Sequence, residues 1–195
     1  MYLGITACII AYLFGSVNSA IVTCKILGIP DPRTIGSGNP GATNVLRIGG
    51  KKAAIITLLG DMLKGLIPVL IAKMLGFSTT ILALVALFAF LGHLYPIFFR
   101  FQGGKGVATV LGCLLGLAWP VGFAMIITWV VIAFIFRYSS LAALITAIMA
   151  PFYTWYFTNE TYTLIVAIMS LLLIYRHHQN IRKLFRGEES KIFKK

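Results

Sequence analysis

Acid is what this chain has least of. Its 195 residues include 5 Asp+Glu against 17 Lys+Arg, and charged residues of both signs make up 11%. A soluble domain carries about 25%. Apolar residues reach 59% and the mean hydropathy is +0.92, more apolar surface than a soluble fold of this size can hide. These shortages exclude an ordinary soluble enzyme and a disordered chain. They leave an all-α polytopic membrane protein, read as one domain over residues 1–195. Cysteine is also scarce. Cys8, Cys24 and Cys113 lie in apolar stretches with no CxxC spacing, so they read as small buried hydrophobes, not a disulfide or metal framework. No acidic or thiolate set accompanies His93, His177 and His178, so no metal is expected, and a serine-type triad lacks its acid. The apolar N-terminus has no basic flank or fitting cleavage site and reads as a retained helix.

What is present is cationic: the formal net charge is +12. In a soluble protein this would suggest nucleic acid. Here the basic residues separate apolar runs, so topology and an anionic ligand are the better explanations, and no nucleic-acid partner is expected. A helix needs about 20 apolar residues to cross a bilayer. Residues 2–24, 53–75, 80–99, 139–157 and 162–175 qualify. Residues 107–136 are too long for one untilted span and are broken by Trp119-Pro120, since proline disrupts a helix interior. Loop charge favours two helices there. Arg33, Arg47, Lys51 and Lys52 then share a side with Arg100, Lys105, Arg137 and the basic tail that ends in Lys194 and Lys195, as cytoplasmic loops require. The expectation is seven transmembrane helices, with the N-terminus outside and the C-terminus cytoplasmic. Gly112 and Gly116 form a GxxxG that reads as close packing within the monomer.

Three polar clusters fall on the inner side. Residues 36–44 (GSGNPGATN), followed by Arg47, combine glycines, which free the backbone to form an anion-binding nest, with donors from Ser37, Asn39, Thr43 and Asn44; a turn-rich linker is the plainer alternative. In the second, after His93, Gly103-Gly104-Lys105-Gly106 leads into an apolar helix, whose N-terminus favours an anion. The spacing is not that of a nucleotide-binding phosphate loop. The third, 176–183 (RHHQNIRK), carries His177 and Asn180 on one face if helical; its arginines and lysines are also what anionic lipid attracts. Asp61 and Lys64, spaced i, i+3 inside a span, are costly as lone charges and are expected to pair. The whole suits a ligand with two phosphate-like groups at the membrane surface. A small-anion (phosphate) transporter is the rival reading, weakened by an outer half nearly bare of charge. A non-catalytic scaffold for anionic lipid explains the tail but not the glycine clusters.

At these residues the sequence resembles the bacterial acyl-phosphate:glycerol-3-phosphate acyltransferases. The matching motifs are 36–47 (GSGNPGATNVLR), 93–109 (HLYPIFFRFQGGKGVAT) and 176–191 (RHHQNIRKLFRGEESK), with 61–65 (DMLKG) and 138–141 (YSSL) as lesser matches. Gln179 stands where the family often has an acid. The resemblance implies an integral membrane enzyme of the bacterial inner membrane, with its active site on the cytoplasmic side. It would transfer a fatty acyl group from acyl phosphate to the sn-1 hydroxyl of glycerol 3-phosphate. The products would be lysophosphatidic acid and inorganic phosphate, the first acylation of phospholipid synthesis, with no covalent acyl-enzyme and no cofactor. The His-x-x-x-x-Asp motif of other acyltransferases is absent. Ser37, Lys105, His177 and Asn180 are the implied catalytic residues. Gly38, Asn39, Thr43, Arg47, Gly103, Gly104, Ser139 and Ser140 would hold substrate. Asp61, Lys64, His93 and Glu189 would be structural, Glu189 pairing with a basic residue. His177 or the substrate's own phosphate would take the hydroxyl proton; with no acid near His177 in sequence, the phosphate is favoured. The implied partners are the two substrates, membrane lipids and a peripheral acyl-phosphate synthase, with the protein a monomer.

Overall fold

A computed structural model describes residues 2–192; Lys194 and Lys195 of the basic tail lie outside them. All regular structure among the described residues is helical. The elements are α1 (Tyr2–Gly15), α2 (Ser19–Ile26), α3 (Ala42–Met74), α4 (Thr79–Leu94), a 3-10 turn (Ile97–Phe99), α5 (Val107–Leu117), α6 (Trp119–Phe136), α7 (Ser139–Phe157), α8 (Glu160–Arg176) and α9 (His178–Phe185). They form two compact units, Met1–Leu117 and Ala118–Lys195.

Residues 107–136 are two helices. Ala118 leaves helical geometry (φ −150°, ψ 96°), and Pro120 falls in the first turn of α6, where a missing N–H costs nothing. Among the described residues, four helices are long and apolar enough to cross a membrane, or five if the bent pair α1 and α2 is one span. α5, with 11 residues, is about 17 Å long at the standard rise. The outward faces are apolar: Ile9, Ile56, Leu59, Phe134, Phe152 and Leu171 are all exposed. In water such a surface would be a large sticky patch; in lipid it is solvated.

In the first unit the expected single span over residues 2–24 is broken between Gly15 and Ser19. A break in hydrocarbon must find partners for its freed backbone groups. Here the Asn18 side chain accepts from Ile21 N–H at 3.1 Å and caps α2. The Ser16 hydroxyl donates back to Tyr12 O at 2.8 Å, and the Lys64 ammonium reaches across from α3 to Val17 O at 2.8 Å. Lys64 also pairs with Asp61 at 2.8 Å, both side chains 4% exposed, the pairing expected from their spacing.

Helices in this unit meet backbone to backbone. A side-chain carbon added at Gly112 would strike Met62 O of α3, and one added at Gly65 would strike Thr109 O of α5. Gly15 and Gly92 stand in the same reciprocal relation between α1 and α4. Small residues at such contacts let dispersion and weak C–H···O contacts replace the hydrophobic drive that lipid removes. The GxxxG of α5 therefore packs inside the chain. α3 bends at Gly50 (φ 78°, ψ −176°), so that its first two turns are a separate short helix.

In the second unit α7 packs against α6 and α8. The Thr128 and Tyr153 hydroxyls join α6 to α7 at 2.7 Å. After α9 the chain turns back, and Ile192 N–H donates to Arg137 O at 2.8 Å, closing the segment over the start of α7.

The α3–α5 contact yields a test. Gly112→Val drives a branched side chain onto the Met62 carbonyl, and overpacking of this kind costs about 1–3 kcal/mol. Gly116→Ala, whose methyl would meet Val69 Cγ1 at 2.9 Å, should cost less because a side chain can yield. Thermal melting in detergent should rank wild type above Gly116→Ala above Gly112→Val; equal melting of all three would refute the contact.

Candidate active site

The first loop is tied together by one side chain. Asn44, in the first turn of α3 and 1% exposed, accepts from Ser37 N–H at 2.8 Å and donates to Pro32 O at 2.8 Å and Ile35 O at 3.0 Å. Expected as a ligand donor, it is instead spent on the loop. Its oxygen also fills the space beside Gly36, whose φ is +67°. Ser37 and Gly38 are left exposed at the loop tip and Asn39 half-buried. Thr43 and Arg47 lie on the first two turns of α3, not in the loop, and Arg47 is exposed.

Asp31, the loop's one acid, is taken up by its neighbour. The Arg33 guanidinium donates to both carboxylate oxygens at 2.6–3.1 Å, and Arg33 N–H adds a bond of 2.9 Å. That hydrogen bonding holds the Asp31 carboxyl below its usual range. The bridge therefore stabilises the loop above about pH 3.9, the ordinary Asp value, and is lost as pH falls through the lowered one.

The second cluster meets the first. After the 3-10 turn, Arg100 and Phe101 both take left-handed conformations (φ 53° and 58°), which reverses the chain. Gln102 Oε1 then lies 3.5 Å from Arg33, and Gly103 and Gly104 pack down as buried backbone. A side-chain carbon at Gly104 would press on the His93 ring, 3.0 Å from Cε1, and lie 3.0 Å from Pro40 O. Only a glycine fits between them. Gly106 (φ 89°) hands the chain to α5, its carbonyl accepting from Val110 N–H at 2.8 Å. Lys105, half-buried, stands immediately before that helix N-terminus, where amide hydrogens and the helix dipole favour an anion. Within this unit, Ser37, Gly38 and Asn39 on one loop and Gly103–Lys105 on the other are thus parts of one assembly, joined at Pro40 and Gly104.

The second unit carries the third cluster. His177, 3% exposed, sits at the junction of α8 and α9. Its Nδ1 is 2.8 Å from Leu173 O, a carbonyl that accepts the Nδ1 hydrogen and so orients the ring. Glu189 accepts from Ser140 Oγ at 2.7 Å and from Asn180 Nδ2 at 2.8 Å. A carboxylate only accepts, so it fixes the Asn180 amide with its NH2 toward Glu189 and its oxygen turned away. Expected to pair with a basic residue, Glu189 instead accepts from two neutral donors, which no spacing rule announces. Ser139 and Ser140 open α7, and a carboxylate beside a helix N-terminus is favourable.

The glycerol-3-phosphate acyltransferase family model matches residues 5–187. The chain is 56% identical over 183 residues to the glycerol-3-phosphate acyltransferase of Methylococcus capsulatus, covering 93% of this chain and 92% of that one. It is 55% identical over 185 residues to that of Shewanella loihica, covering 95% and 91%. Among solved structures, an integral membrane glycerol 3-phosphate acyltransferase, PlsY, in its glycerol 3-phosphate form superposes with a TM-score of 0.91 at 39% identity, over 96% of this chain and 94% of that one. Its lysophosphatidic acid form gives 0.89 at 38%.

Asn44→Ala removes three hydrogen bonds from the loop, each worth about 0.5–1.5 kcal/mol net. The expected result is faster hydrogen exchange at the Ser37 amide and quicker proteolysis between residues 28 and 41, with a smaller change in global melting. An unchanged Ser37 exchange rate would mean that Asn44 does not hold the loop.

Proposed function

This chain belongs to the glycerol-3-phosphate acyltransferase family and is an acyltransferase, and we propose that it moves a fatty acyl group from acyl phosphate to the sn-1 hydroxyl of glycerol 3-phosphate. The hydroxyl oxygen attacks the acyl carbon, the bond from that carbon to the phosphate oxygen breaks, and lysophosphatidic acid and inorganic phosphate leave. The observation that carries this reading is the junction at Gly104, where two donor-rich segments far apart in sequence meet beside Lys105. Ser37, Gly38, Asn39, Thr43 and Arg47 hold one phosphate. Lys105 with Gly103 and Gly104 holds the other and takes up the charge that develops on the departing phosphate. Ser139, Ser140, His177 and Asn180 act on the glycerol hydroxyl and the reacting carbonyl. No acyl-enzyme forms.

Acyl phosphate is already activated, so alignment and charge stabilisation are the main requirements. His177 Nε2 and Asn180 Oδ1 are both acceptors suited to orienting a hydroxyl. A backbone carbonyl behind His177 stabilises an imidazolium less than a carboxylate would, which favours a substrate phosphate oxygen as the final proton acceptor. The assay uses purified protein with palmitoyl phosphate and glycerol 3-phosphate in lipid mesophase, reading released phosphate, with palmitoyl-CoA as control donor. Release should require both substrates. Lys105→Ala should lower kcat by about 100-fold or more, the scale of losing a charge-stabilising group. His177→Gln should keep the wild-type pH profile, because glutamine still accepts the hydroxyl hydrogen; loss of an acid limb near the ordinary histidine pKa would make His177 the base. Equal rates with palmitoyl-CoA would overturn the donor assignment. Phosphate flux into sealed vesicles without donor would revive the transporter.

The chain is further proposed to cross the bacterial inner membrane seven times as a monomer, with α1 and α2 as one broken span and α3 to α8 as the others. The clusters then face the cytoplasm, where a peripheral acyl-phosphate synthase can deliver donor. The support is the distribution of Lys and Arg among the loops. A fluorescent protein fused after residue 195 should fluoresce, and alkaline phosphatase fused after residue 77 should be active. The reverse pattern would invert the topology.

A further inference from the structure

We propose that His93 is a positioning residue for the phosphate-binding turn: its ring, held by the buried Asp61–Lys64 pair, is the seat that sets the height and direction of Gly103, Gly104 and Lys105. This rests on the function proposed above. The elements line up along one path within the first unit. The Lys64 ammonium is fixed by two partners, Val17 O at 2.8 Å and Asp61 at 2.8 Å. Asp61 Oδ1 in turn lies 3.6 Å from His93 Nδ1. All three side chains are buried to within about 4% of complete exclusion, where charges attract more strongly than in water. The other edge of the same ring abuts Gly104, and the far side of Gly104 is closed by Pro40 O at 3.0 Å. Gly103 lies against the carbonyls of His93 and Leu94, so the turn rests on His93 through both its backbone and its ring. The turn is therefore gripped between a ring anchored in the core and the loop that carries Ser37. A shift of the ring moves the amides and Lys105 together. The contacts on this path run from the ring to the turn, so the ring acts through the turn.

The test compares full-length wild type with His93→Ala, Gly104→Ala, the double variant, and His93→Gln. Each is assayed in lipid below its own melting temperature, with KM for each phosphate substrate measured separately from kcat. Glycerol 3-phosphate protection against thermal unfolding, which scales with ligand affinity, is measured alongside. His93→Ala should raise KM for at least one phosphate substrate about tenfold, and His93→Gln should recover part of it by refilling the seat. Gly104→Ala should do similar damage by pushing on the ring. Because both changes act on one contact, the double variant should be no worse than the poorer single one. A merely structural His93 would lower melting temperature and active fraction and leave both KM values alone. That outcome, or multiplicative losses in the double variant, overturns the proposal. If wild type works only with another acyl donor, the donor assignment fails, while KM and thermal protection for glycerol 3-phosphate still decide the role of His93.

Discussion

Lys64 solves a problem that the bilayer poses. The first membrane segment is interrupted after Gly15, and an interrupted helix leaves carbonyls without partners in a medium that offers none. A neutral donor could satisfy Val17 O, but an ammonium makes the stronger bond and brings its own difficulty, an unpaired charge in a buried place. Asp61, one helical turn back on α3, removes that difficulty. Ion pair and helix break are therefore mutually dependent: without the break Lys64 loses its second partner, and without Asp61 it cannot stay charged there. Around this knot the glycines of α1, α3, α4 and α5 bring backbones close enough to pack without help from water.

The same logic of cancelling negative charge runs through the polar surface. Of the five acids, Asp61 is matched by Lys64, Asp31 by Arg33, and Glu189 accepts from Ser140 and Asn180. Glu160 stands in the first turn of α8, where the helix dipole suits it. Four of the five carboxylates are thus matched by a side-chain partner or a helix terminus. The first loop's own acid, Asp31, is spent on Arg33.

Much of this was legible in the residues themselves. The i, i+3 spacing of Asp61 and Lys64, the GxxxG of α5, the proline break ahead of α6, the 139–157 span and the glycine turn leading into α5 are all local signals, and local physics decides them. The features that escaped are those where a distant group decides. The break in α1 hides inside an apolar run; its only signal is Asn18, a good capping residue, and its stability comes from a lysine 46 residues away in sequence. Asn44 has the chemistry of a ligand donor, and only the loop's path shows that Pro32, Ile35 and Ser37 use all of it. Glu189 looked like the partner of a base because charge is what a sequence displays; the nearby hydroxyl and amide are ordinary polar residues until the tail folds back. Arg100 and Phe101 in left-handed conformations break the preference of their residue types, and no composition rule would have placed the reversal there.

The carbonyl behind His177 Nδ1 bears on the chemistry as a whole. Enzymes that must deprotonate a hydroxyl against a poor leaving group commonly back the histidine with a carboxylate, which stabilises the imidazolium that forms. Here Glu189, the acid that belongs to the same cluster, is committed to Ser140 and Asn180, and the ring has Leu173 O behind it. Such a site suits a donor whose leaving group departs as a stable anion, so that the transition state needs cations and amides more than a strong base. Lys105 at the mouth of α5 supplies the first and the glycine turn the second. In the proposed reaction a cationic turn would serve the leaving phosphate and neutral acceptors the hydroxyl, a division consistent with where the carboxylates are already spent.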